Sequence, residues 1–196
     1  MKNLMFFAAI VLTSVLMSFT VNQTHGTYKI NTKSSSLKWT GYHLAKSYEH
    51  TGFVMLKSGN LITDGERITG GEFVIDMNTI TDIDLKDAKD NAKLTNHLKS
   101  DDFFAVSQFP EAKLAIKGSE KTGDNIYKTT ADLTIRGITK TITFETKVTK
   151  LTDSEIAVFA DFNVKRTDFK VMYGWKVENA MLSGEFRMQV SLVGNK

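Results

Sequence analysis

No cysteine occurs among the 196 residues. That excludes disulfides, thiol catalysis, cysteine-ligated zinc and a lipid-modified cysteine anchor. There is a single proline and no low-complexity tract, which argues against long disordered segments. The basic residues are spread along the chain and interleaved with acids. They leave a net charge of only +3 and no basic cluster of the kind that binds nucleic acid. No G-x-S-x-G elbow, H-x-H or H-E-x-x-H motif is present, so the sequence names no catalytic set and no dedicated metal site. A domain without disulfides must be held by its own core, and the roughly 170 residues from position 27 onward can bury one.

What the chain does have begins with an apolar leader. "MKNLMFFAAIVLTSVLMSF" carries one early charge, Lys2, then an uncharged run to Phe19, followed by the small and polar residues of "TVNQTHG". This is the pattern of a secretory signal peptide. Residues 1–26 are expected to be that signal, with cleavage between Thr20 and Gly26. The protein would then be exported, to the periplasm or outside the cell, with no stable membrane insertion after cleavage. An uncleaved anchor is the alternative, because the run approaches membrane-spanning length.

From residue 27 onward the dominant period is two. "IYKTTADLTI" sets Tyr127, Ala131, Leu133 and Ile135 on one face, against Lys128, Thr130, Asp132 and Thr134. "ITKTITFETKV" aligns Ile138, Ile142, Phe144 and Val148. "EIAVFADFNV" aligns Ile156, Val158, Ala160, Phe162 and Val164, and "EFRMQVSLV" aligns Phe186, Met188, Val190 and Leu192. The same alternation predicts strands near 37–43, 52–63, 67–77 and 111–118. Turn signals punctuate them: "KSGN", "TDGE", "KTGDN" and "RGIT". Only "TDIDLKDAKDNAKLTNHLKS" breaks the period. Its Leu85, Ala88, Ala92 and Leu98 predict a weakly apolar helix over about 85–99, with Thr81, Asp82 or Asp84 as N-cap, lying across an opening or against one wall.

About eight strands with one apolar face predict an all-β, eight-stranded antiparallel barrel, since closure removes exposed edges without covering helices. A sandwich is the other solution. Such a barrel holds packed side chains or one small ligand. A membrane-spanning barrel would need its apolar face outward, and the many short turns and the central helix do not favour it.

Four segments then carry a resemblance. They are "GGEFVIDMNTI" (70–80), "HLKSDDFFAVSQFPEAKL" (97–114), "ADLTIRGITKTITF" (131–144) and "VKRTDF" (164–169). Together they resemble the motifs of the YceI-like family, also called the polyisoprenoid-binding or lipid-binding YceI family, over residues 27–193. Two departures stand out. Lys170 replaces the glycine expected after the Arg-x-Asp-aromatic motif, and "WTGYHLAKSYEHTGF" matches loosely, so that either His43 or His50 could take the place of the family's early histidine.

The resemblance implies a lipocalin-like barrel that binds, stores or transports an isoprenoid quinone, polyprenyl lipid or other long-chain amphiphile without catalysing a reaction. The hydrophobic small-molecule ligand would contact Trp39, Phe73, Ile75, Phe103, Phe104, Leu133, Ile142, Phe144, Val158, Phe162, Phe186 and Met188. His43, His50, Arg166 and Asp168 would meet its polar head; Arg166 and Asp168, two apart, would share a strand face. Asp101 and Asp102 read as turn caps, and His97 as a helix-end residue capping carbonyls. The alternative function is a ligand-free structural or stress-response envelope protein with a filled barrel, acting through its surface. A weaker one is an enzyme using His43 or His50.

Overall fold

The computed structural model describes residues 26–44, 47–173 and 176–196. The expected signal peptide, apart from Gly26, lies outside the described residues. Among them, no helix is long and apolar enough to cross a membrane.

Nine strands follow the alternating segments: β1 (Gly26–Ile30), β2 (Ser36–His43), β3 (Glu49–Asp64), β4 (Arg67–Asp82), β5 (Glu111–Gly123), β6 (Ile126–Ile135), β7 (Ile138–Leu151), β8 (Glu155–Lys165) and β9 (Leu182–Asn195). Every pairing is antiparallel. The ladder runs β2–β9–β8–β7–β6–β5–β4–β3 and returns from β3 to β2, which closes an eight-stranded barrel. The short β1 is not a ninth stave. It pairs with β3 (Gly26↔Thr63) and β9 (Ile30↔Gly194), the same two neighbours that flank β2. β1 and β2 thus occupy one position, interrupted at Asn31, whose Oδ1 accepts from the Lys33 and Ser34 amides. β1 is too short for its alternation to stand out from the leader before it.

The two ends of the barrel differ. One end is packed solid: Tyr28, Leu61, Ile68, Tyr127 and Ile156 are each no more than 1% exposed. Several polar groups there find internal partners, although the buried Tyr127 hydroxyl has none. Tyr28 Oη donates to the Thr152 carbonyl at 2.6 Å, Ser119 Oγ to the Ile68 carbonyl at 2.8 Å, and Thr129 Oγ1 to Thr146 Oγ1 at 2.9 Å. These internal bonds help that end stay dense.

The opposite end carries the β2–β3, β4–β5, β6–β7 and β8–β9 connections. The β4–β5 connection holds α1 (Ala88–Lys99), which starts three residues later than its apolar pattern suggested. Asp87 is the N-cap, accepting from the Lys89 and Asp90 amides at 2.9 and 3.0 Å. Thr81 and Asp82 are still in β4, and the Asp82 and Asp84 carboxylates are used elsewhere. After α1, the Phe103 and Phe104 amides donate to the Ser100 and Leu98 carbonyls, and Ala105 turns through φ 49°. Pro110 then accepts from the Met77 amide at 2.9 Å just before β5 enters the sheet. In the β8–β9 connection, Arg166–Phe169 forms a 3-10 turn and α2 (Lys176–Met181) a short helix, neither of which alternation could show.

Candidate ligand-binding site

Above the packed end the barrel encloses a cavity of about 560 Å³ that opens among the connections just described. That is within the usual range for small-molecule sites, roughly 300–1,000 Å³. Its deeper walls are aliphatic and aromatic, with Leu37, Val54, Leu56, Ile75, Leu133 and Leu192 among them. Polar lining comes from the mouth, where α1 contributes Asp90, Lys93 and His97, and Leu94 and Leu98 cover part of the opening.

Of the residues expected to contact a ligand tail, Trp39, Phe73, Ile75, Phe103, Phe104, Leu133, Phe162, Phe186 and Met188 line this cavity. Three expectations need correction. Val158 is buried opposite Val148, in the part of the barrel filled by core. Ile142 and Phe144 fall where the β7–β8 ladder has ended, since it runs only from Thr146↔Ala160 to Leu151↔Ile156. Ile142 packs against the core, and Phe144 stacks on the Phe162 ring, centroids 4.4 Å apart and planes 18° from parallel.

Among the expected head-group residues, His43, His50 and Arg166 reach the cavity and Asp168 does not. The 3-10 turn separates Arg166 from Asp168, which a strand would have kept on one face. Arg166 points in, 4% exposed, while Asp168 stays at the surface 3.5 Å from Lys165. Arg166 donates from Nε to the Ser183 carbonyl (2.6 Å), from Nη1 to the Val171 carbonyl and Asn179 Oδ1 (both 2.8 Å), and from Nη2 to the Asn179 and Leu182 carbonyls (3.2 and 3.4 Å). These five acceptors use all five of its N–H groups. All are neutral oxygens, and burial pushes the guanidinium pKa down. Arg166 is therefore a clamp that holds the β8–β9 connection beside the mouth.

His97 was expected to cap the helix end. The structure instead turns its ring into the cavity, against Tyr173 (centroids 4.3 Å) and Phe103 (5.7 Å). Its Nε2 is buried with no hydrogen-bond partner. Burial lowers its pKa and favours the neutral ring, an effect opposed by the negative charge of Asp102. A buried ring nitrogen without a partner is costly. No sequence motif flags this residue, because its direction depends on how α1 crosses the mouth.

Across the mouth, His43, Tyr48 and His50 form a short aromatic row, with edge-on contacts of 5.1 and 4.6 Å. His50 also meets two carboxylates from the end of β4 and the residues after it. Its Nδ1 is 2.9 Å from Asp84 Oδ2 and 3.9 Å from Asp82 Oδ2. No local His-His spacing marks this group, because its acids lie more than thirty positions from the histidine in the chain.

A closed antiparallel barrel with an apolar cavity at one end and a helix over its mouth defines a lipocalin-like binding architecture. Comparison with known proteins makes this specific: a family model described as "YceI-like domain" matches residues 28–194, and the chain belongs to that family. A UPF0312 protein of Pseudomonas putida (strain W619) is 29% identical over 141 residues, covering 71% of this chain and 70% of its own. One from Shewanella denitrificans is 28% identical over 140 residues, covering 70% and 69%. Among solved structures, Burkholderia cenocepacia BcnA superposes with a TM-score of 0.69 at 18% identity, over 84% of this chain and 98% of that one. A polyisoprenoid binding domain from Saccharophagus degradans, implicated in plant cell wall breakdown, gives 0.66 at 16% identity, over 86% and 97%. At these identities the structural matches establish the shared fold.

Proposed function

We propose that this protein binds and carries a long-chain amphiphile of the isoprenoid type without transforming it. The carrying observation is the cavity of about 560 Å³, apolar at depth and polar at its mouth. The hydrophobic effect contributes about 0.8 kcal/mol per buried methylene. Roughly ten buried methylenes would therefore supply about 8 kcal/mol before ordering costs. The tail would lie along Leu133, Phe73 and Ile75, and the head would reach the mouth, where His97 Nε2 lacks a partner. The name of the Saccharophagus degradans neighbour as a polyisoprenoid binding domain supports this ligand class. An apolar leader of the secretory type supports export to the periplasm or beyond, where a carrier would move such molecules between membranes. A protein acting only through its surface would have no need of the open cavity.

The test is organic extraction of protein purified from its native host, followed by mass spectrometry. A stoichiometric isoprenoid or other long-chain lipid supports the reading. Protein that is lipid-free as isolated, and whose melting temperature is unmoved by added quinones or fatty acids, refutes it.

A further inference from the structure

Three side chains beside the cavity mouth form a ligand set that carrier function does not require. Asp82 ends β4, Asp84 follows two residues later, and His50 lies on β3. One donor atom from each of the three lies within 4.8 Å of the others. Each is also fixed from behind. Asp82 Oδ1 accepts from the Leu85 amide (2.9 Å) and Asn91 Nδ2 (3.0 Å), and Asp84 Oδ1 accepts from the Thr51 amide (2.6 Å). His50 Nε2 is engaged by Tyr48 Oη at 2.5 Å. Those contacts leave Asp82 Oδ2, Asp84 Oδ2 and His50 Nδ1 facing one another.

The decisive atom is Asp82 Oδ2. The Asp82 side chain is fully buried, and this oxygen has no hydrogen-bond donor. A buried carboxylate oxygen without a donor is expensive unless it is paired, protonated or bound to a cation. Its nearest neighbours are a second carboxylate and an imidazole nitrogen, which is how a cation site is furnished. We propose that His50 Nδ1, Asp82 Oδ2 and Asp84 Oδ2 bind one first-row divalent cation, of the Zn²⁺ or Co²⁺ type, at the rim of the cavity.

The donor set decides the class of ion. One imidazole nitrogen with two carboxylate oxygens suits first-row transition ions, whereas Ca²⁺ and Mg²⁺ prefer all-oxygen shells. Around an ion bound at about 2.0–2.2 Å, neighbouring ligand atoms stand roughly 3–3.5 Å apart. The 2.9 and 3.9 Å separations from His50 Nδ1 bracket that spacing, so small side-chain adjustments suffice. The backing contacts are of the kind that orient metal ligands. When the ion enters, the neutral ring takes the tautomer protonated on Nε2, giving its Nδ1 proton to solvent and taking one on Nε2 from solvent, and that N–H donates to Tyr48 Oη. Burial raises the Asp82 pKa, and Asp84 beside it adds to the rise, so a proton competes with the ion for this oxygen. Burial also raises the Tyr48 pKa, with Asp84, Asp82 and Asp90 all adding negative potential there. The rival occupant of the gap is a proton shared between the two carboxylates.

Isothermal titration of the metal-free protein with Zn²⁺, and separately with Co²⁺ while following its visible absorption, tests the proposal. One ion should bind per chain, and saturating Zn²⁺ should raise the melting temperature, with no comparable effect of Mg²⁺. Asp82→Asn keeps the Oδ1 acceptor and the side-chain shape, so it should fold while weakening Zn²⁺ at least tenfold. His50→Ala should do the same, and Asp168→Asn should bind as the parent does. Absence of stoichiometric binding, or a Zn²⁺ affinity that Asp82→Asn and His50→Ala leave unchanged, overturns the proposal in favour of the shared proton.

Discussion

Arg136 donates from Nη1 to the Phe103 carbonyl oxygen at 2.6 Å, tying the β6–β7 turn to the segment that follows α1. The same guanidinium reaches the Lys170 and Asp101 carbonyls at 2.8 and 3.2 Å, so three connections at the mouth converge on one side chain. Hydrogen bonds to a charged donor contribute about 1.5–3 kcal/mol each, and less where water competes. Arg136→Met should lower unfolding free energy by about 2–3 kcal/mol in urea titrations. It should also weaken tail binding, because Phe103 and Phe104 lose their anchor.

Arg166→Met should cost more, about 3–5 kcal/mol, since it strands several buried carbonyl oxygens. Arg166→Lys should recover little. An ammonium has three donors and no planar fork with which to meet five acceptors. The check is chemical denaturation of the three proteins side by side.

Acid should destabilise the fold through His97. Its pKa is lowered by burial, so between the ordinary imidazole value near 6.5 and the lower folded value the unfolded chain binds more protons. Its contribution to stability is therefore complete above about pH 6.5, declines as pH falls from there to the folded value, and is level below it. His97→Gln should flatten that part of the pH profile. Urea midpoints of the parent and the variant, measured at half-unit steps from pH 7.5 to 5, provide the comparison; parallel profiles would show that the ring is not desolvated.

Gly52→Ala should destabilise the mouth. A Cβ there would fall 1.7 Å from the Thr81 carbonyl oxygen and 2.8 Å from Trp39 Cζ2. Trp39 Nε1 donates to that same Thr81 oxygen at 3.1 Å, so β3 and β4 would have to part where the indole docks. A cost of about 1–3 kcal/mol is expected, together with a change in Trp fluorescence.

Most of the barrel was readable because a half-buried strand writes its geometry at period two. Alternation puts Leu133 and Phe186 on the apolar face, and both line the cavity. The failures mark where that rule loses its physical basis. Ile142 and Phe144 keep the alternation but lie beyond the end of the β7–β8 ladder, and strand separation leaves no trace in residue type. Asp168 was misplaced because a 3-10 turn has a different period from the strand before it. His97, Tyr173 and the meeting of His50 with Asp82 and Asp84 depend on how separate connections fold over one opening. No local pattern encodes that.

A carrier of this kind must hold its ligand inside the cavity. Ala112 lines it from β5, and Ala112→Phe would place a ring in that space while leaving the mouth residues in place. Titrating delipidated parent and variant with an isoprenoid quinone, followed by intrinsic fluorescence and calorimetry, measures this directly. The parent should bind one molecule per chain, and the folded variant should bind at least tenfold more weakly. Equal affinity in the two proteins, or no binding to the parent, would contradict the account.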